Sequence, residues 1–317
     1  MKNLSIIITG QIRTFFSNNN FTNVLNTCIN NYNKIIVICV INSFDKNDFL
    51  KIKAYFDCFK IHDLILIDYT DNKHQTDFIA KMEYKYNNEF FIKIRNKYMS
   101  LNTCAHREIY DPISCQNSIR TQFHQISIGF AALKEYIVKN DFTSHITMKT
   151  RFDILYPKDF YPHLPPDSAD FIDILAFNNI NKELITDCMK KYNLQTLDDL
   201  IAFSKNEQQH LPDCRINNQN IWPITFGGDY ISNYKSLEYI KHNNNNVIYS
   251  FGTFFEFGET KNMLLFEKLF DDFWTIEPLY EQFLYHYYAP ELQVMLFCLQ
   301  NNIPILMYKN NSFWYVR

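Results

Sequence analysis

Leu4-Ser5-Ile6-Ile7-Ile8-Thr9-Gly10 decides how the rest of the chain is read. An uninterrupted apolar run rich in β-branched side chains has no face to offer water, so it reads as a strand covered on both sides. Residues 34–41 (Lys-Ile-Ile-Val-Ile-Cys-Val-Ile) repeat the pattern, and 64–67 give a third, shorter run. Between the last two, residues 48–56 carry a helical pattern. Such alternation predicts a βαβαβ opening and an α/β domain built on a parallel sheet.

Further along, residues 71–111 are polar, rich in Tyr and Lys, and open to either helix (78–99) or loop. Ile119, Phe123, Ile126, Phe130, Leu133 and Ile137 step by three and four, which is one helical stripe ending before Asn140-Asp141. A strand is expected over 146–153, closed by Tyr156-Pro157. Residues 171–177 suggest another strand, 222–226 a strand entering the turn Gly227-Gly228-Asp229, and 232–242 a helix. Pro290-Glu291 opens a late helix with Leu292, Met295, Leu296 and Leu299 on one face, and 303–308 is the last strand. Neither an internal repeat nor a linker divides the chain.

Composition narrows the function. The 317 residues are 47% hydrophobic, enough for a packed core. Aromatic residues make up 17%, and exposed rings can serve as platforms for sugars. A net charge of −3 without a Lys/Arg run argues against a nucleic-acid binder or a polybasic membrane anchor. The 8 cysteines form no Cys-x-x-Cys pair, and Cys104-Ala105-His106 with Cys115 lacks zinc spacing, so they read as scattered reduced thiols. The run 4–8 is too short for a signal peptide, and no stretch approaches the ~20 residues of a membrane span. The expectation is a soluble cytoplasmic protein. With only 6 glycines, a dinucleotide fingerprint, a Walker loop and a kinase glycine loop are all excluded. Any nucleotide must be held by side chains, a metal or a helix end.

Four constellations can carry chemistry. In Lys149-Thr150-Arg151-Phe152-Asp153, strand alternation puts Lys149, Arg151 and Asp153 on one face, at the carboxyl edge where parallel sheets bind ligands. Asp153 can coordinate Mn²⁺ or Mg²⁺ and Arg151 can meet a phosphate; equally, the two can be a structural ion pair. Gly10, Gln11 and Arg13 end the first strand, where Gln11 can read a base edge and Arg13 take a phosphate, or where Gly10 simply turns a corner. Gly227-Gly228 lets backbone approach a ligand and leaves Asp229 as a general base toward a hydroxyl, or as a helix cap. Glu291 suits the first turn of a helix and is also a second candidate base. Gln116, Asn117 and Arg120 open the long helix and can line the same cleft. His124 and His145 flank the strand in sequence and read as ordinary core or surface histidines.

Taken in order, Gly-Gln-Ile-Arg-Thr after the opening strand, a long central helix, Lys-x-Arg-x-Asp, Gly-Gly-Asp and Pro-Glu resemble bacterial and large-virus polysaccharide glycosyltransferases of the WavE-like type. The resemblance implies a GT-A-like single α/β domain with a mixed, mostly parallel central sheet flanked by helices. Residues 1–160 would bind a nucleotide sugar, most readily a UDP-sugar, and 161–317 a glycan acceptor. It places Gly10, Gln11 and Arg13 against the nucleotide and Arg151-Phe152-Asp153 where such enzymes carry Asp-x-Asp, with Arg in place of the first Asp. Arg13, Lys149, Arg151 and a metal on Asp153 would then hold the diphosphate, Asp229 or Glu291 would deprotonate the acceptor, and Trp222 and Tyr230 would wall the sugars. Two other readings remain: a catalytically degenerate scaffold with the same fold, and a nucleotidyl- or phosphotransferase, which needs more acidic ligands near Asp153.

Overall fold

A computed structural model describes residues 1–12, 15–17, 20–43, 45–86, 112–156, 189–196, 198–200, 202–203, 247–250, 255–272, 294, 297–298, 301–303, 305–307 and 314–315. The opening run forms β1 (Leu4–Gly10) and the second forms β2 (Ile35–Ile41), both buried almost throughout. β3 (Asp63–Asp68) is half-buried, as befits its place at the sheet's edge. The helices between them are α1 (Asn20–Asn31) and α2 (Lys46–Asp57). Asp45 starts α2 by accepting the Asn47 amide, which satisfies one of the donors a helix leaves open. α3 (Asn72–Tyr86) begins earlier than its apolar pattern suggests, because Asp71 accepts the Lys73 amide and its carbonyl accepts that of His74.

α4 (Pro112–Lys139) is the long helix of the sequence reading. It ends where expected: Asp141 adopts a left-handed backbone (φ 46°) and the Phe142 amide reaches back to the Ile137 carbonyl. β4 (Ile146–Arg151) follows, and the chain turns at Phe152 and Asp153 before the short β5 (Ile154–Leu155). Asp153 is therefore not on the strand, which corrects the expectation that alternation carries it to the face of Lys149 and Arg151. β6 (Ile248–Ser250), β7 (Glu256–Glu259) and β8 (Ile305–Met307) complete the main sheet, while β5 pairs with β9 (Trp314–Tyr315).

Among the described residues, the sheet has seven strands in the order β3-β2-β1-β4-β7-β6-β8. The pairs among β1 to β4 are parallel, and β7 runs antiparallel to both neighbours. This is a mixed, mostly parallel α/β sheet. Each face has its own core. Ile6, Ile8, Val37 and Cys39 meet α1 and α2 through Phe21, Leu25, Ile52 and Phe56. Ile7, Ile36 and Ile38 meet α3 and α4 through Met82, Phe123, Phe130 and Leu133. Burying each such side chain contributes about 1.5–3 kcal/mol, so the two layers together fix the strand order. α4 lies close on the sheet because Gly129 has no side chain: a Cβ there would stand 2.6 Å from Ile7 Cγ2.

The chain runs outward from β1 to β2 and β3, then returns to place β4 on the other side of β1. The order thus reverses between β1 and β4, with α1 on one face and α4 on the other. In open α/β sheets, ligands bind at the carboxyl ends of the strands at such a point. No helix among the described residues is long and apolar enough to cross a membrane.

Candidate functional site

Two of the constellations meet at this reversal. β1 and β4 pair in register with Thr9 opposite Arg151, so Gly10 and the Arg151 turn sit side by side at the carboxyl edge. Gly10 has φ +111°, a conformation that strains any residue with a Cβ, and among the described residues nothing stands within 4 Å of where that Cβ would be. Gln11 beside it is exposed. The Thr9 hydroxyl, fully buried one residue earlier, has no hydrogen-bond partner among the described residues.

Arg151 and Asp153 form a bidentate pair: Nε donates to Oδ1 at 2.8 Å and Nη2 to Oδ2 at 2.6 Å. Both side chains are about one-fifth exposed, at 21% and 23%. The third nitrogen, Nη1, lies 3.4 Å from Gln122 Oε1 on α4. A fork held at two points has its plane fixed, so the guanidinium is presented at the rim in one orientation. The structural alternative for these two residues is thus realised in the geometry. It also bears on the metal expected at Asp153. Both carboxylate oxygens already accept charge-assisted bonds, and among the described residues no group of three or more His, Cys, Asp or Glu is placed to hold an ion. No step below passes through a metal.

Lys149 stands apart from the rim. It is 1% exposed and meets Glu256 of β7, 2% exposed, at 2.9 Å across the antiparallel pair. Burial pushes the ammonium's pKa down, and the Glu256 carboxylate opposes that. Such a pair fastens β7 to β4 in one register, because a slip would leave either charge alone in the interior. Phe152 and Tyr156 turn to the other face. Phe152 packs edge-on against Phe15 at 5.3 Å, and the Tyr156 hydroxyl bonds Thr150.

Arg120 is buried at 2% on the stripe of α4 that faces the core. With a rise of ~1.5 Å per helical residue and ~3.3 Å per strand residue, it lies near the level of the β1 carboxyl end, as Gly129 lies over Ile7. His124 is a core histidine. His145 is exposed and accepts the Asn3 amide at 3.1 Å, at the opposite edge of the sheet from Arg151. Arg13, Gly227, Gly228, Asp229, Glu291, Trp222 and Tyr230 lie outside the described residues, as do the side chains of Gln116 and Asn117. Cys28, Cys39, Cys58 and Cys298 are free thiols; of the other cysteines, Cys115 lies on α4 with its side chain outside the description, and the rest lie outside the described residues.

Sequence reasoning missed Gln122 and Glu256. Gln122 lies outside the apolar stripe and carries no motif. Glu256 is separated from Lys149 by a long stretch, and only strand pairing brings them together.

Fold and site define a class no finer than an α/β protein whose strand order reverses between β1 and β4, with Gly10 and Arg151 at the carboxyl edge of that reversal. No protein-family model matches the chain, and no curated protein or solved structure matches it either.

Proposed function

We propose that the protein is a nucleotide-sugar-dependent glycosyltransferase of GT-A-like architecture. The observation that carries the reading is the register of Thr9 with Arg151, which sets Gly10 beside an oriented guanidinium at the point where the strand order reverses. A nucleoside-diphosphate sugar, most readily a UDP-sugar, would lie along this edge with its diphosphate toward Arg151 and Arg13 and its base toward Gln11. As the glycosidic bond breaks, negative charge grows on the leaving diphosphate. A cation fixed before the reaction stabilises that charge without reorganising. Asp229, or Glu291 in its place, would take the proton from a glycan hydroxyl as it attacks. Residues 1–160 then serve the donor and 161–317 the acceptor. The reading expects a cytoplasmic enzyme.

One observation favours a second reading, a non-catalytic scaffold with the same fold. Arg151 and Asp153 already neutralise each other, and Lys149 is committed to Glu256. The experiment that separates the two is donor turnover. The full chain is incubated with UDP-, GDP- and dTDP-sugars and Mn²⁺, and release of nucleoside diphosphate is followed. The transferase releases it from at least one donor, Arg151→Ala abolishes the release while keeping its circular dichroism, and Asp229→Asn keeps donor binding but stops transfer. Absence of both release and binding across the panel establishes the scaffold instead.

A further inference from the structure

Away from the β1–β4 carboxyl edge, three elements are joined through one buried imidazole. Tyr69, just past β3, places its hydroxyl 3.0 Å from His124 Nδ1, and Asp77 of α3 places Oδ2 3.0 Å from His124 Nε2. His124 is 2% exposed and Tyr69 likewise, with the rings of Phe270 and Phe78 at 4.7 Å and 5.5 Å from the imidazole. We propose that this Tyr69–His124–Asp77 chain is an acid-sensitive latch, which fastens α3 to α4 and the end of β3 and loosens when His124 takes a second proton.

Donor counting carries the argument. A neutral imidazole offers one donor and one acceptor. With its proton on Nε2 it donates to the Asp77 carboxylate and accepts the Tyr69 hydroxyl, so every group is satisfied. An imidazolium has two donors and no acceptor. Tyr69 would then have to turn its own proton away in a site closed by phenyl rings, where an unmet hydrogen bond costs about 1–3 kcal/mol.

The charges around the ring do not reverse this. From α3, Asp77 favours the imidazolium, but it is shared with Lys81 at 3.3 Å, and His74 stacks on Tyr69. Lys81 also reaches Asp271 at 3.4 Å on the neighbouring helical segment. Burial pushes the His124 pKa below its usual value, against the hydrogen bond it donates to Asp77. The folded protein therefore takes up a proton there less readily than an opened one. The latch's contribution is complete above about pH 6.5 and falls as the pH drops below it.

The test is amide hydrogen exchange of the whole protein at about pH 7.5 and about pH 5.5, corrected for intrinsic rates. The latch predicts that the opening constant of α3 rises about tenfold between the two, the full effect of an imidazole that protonates only when released. In His124→Gln, which keeps one donor and one acceptor but does not titrate, it stays flat. Equal behaviour of the two proteins, or no change in the wild type, overturns the proposal. Should His124→Gln fail to fold, ring-nitrogen chemical shifts of the wild type decide. A neutral ring protonated on Nε2 at about pH 7.5 supports the latch, and an imidazolium there overturns it.

Discussion

Arg151 holds Asp153 because the chain turns after the strand, and the carboxylate folds back onto the guanidinium two residues before it. The sequence revealed the pairing partners but not the turn, since alternation along a strand and a turn can both bring residues two apart together. Lys149 was legible as an unusual charge on an apolar strand, and its partner was not. Replacing it tests the burial. Lys149→Met removes the cation that Glu256 faces in the interior and is expected to cost about 3–5 kcal/mol in urea unfolding, while Lys149→Met with Glu256→Leu recovers most of that. A single-variant cost under ~1 kcal/mol would mean that Glu256 is solvated in solution. Gly10→Ala is expected to lose about 1–3 kcal/mol from its φ of +111° alone, because no described neighbour obstructs the new methyl.

Elements whose identity is local were read well. β1, β2 and β3 are continuous apolar runs, and α4 follows its apolar steps of three and four. β6 and β7 are only three or four residues long, and β7 contains Glu256, Gly258 and Glu259, so periodicity has nothing to act on; β8 falls within the strand expected over 303–308, though β9 follows it and not the chain's end. Their places depend on pairing with strands far away in sequence. Val294, Phe297 and Cys298 are helical and buried, at spacings of three and four, while Leu292, Met295, Leu296 and Leu299, expected on one face of the late helix, lie outside the described residues. Gly129 tests how closely α4 lies on the sheet. Alanine there should gain up to ~1 kcal/mol in helix propensity. The 2.6 Å approach to Ile7 Cγ2 should outweigh that, with a net loss of about 1–2 kcal/mol in unfolding free energy. A stabilised Gly129→Ala would mean that the helix can move off the sheet without penalty.

At the scale of the molecule, two cores on opposite faces hold a sheet whose strand order reverses between β1 and β4, the kind of point at which open α/β sheets bind ligands. Gly10, Gln11, Arg151 and Asp153 converge there from stretches more than a hundred residues apart, while Lys149 belongs to the interior and the expected bases lie outside the described residues. The most direct test maps where a nucleoside diphosphate binds, by amide hydrogen exchange of the full chain with and without UDP or GDP. Our account predicts slowed exchange at residues 9–12 and 151–153, with the β3 edge unchanged. Binding that leaves both segments unprotected, or no binding of either nucleotide, contradicts it.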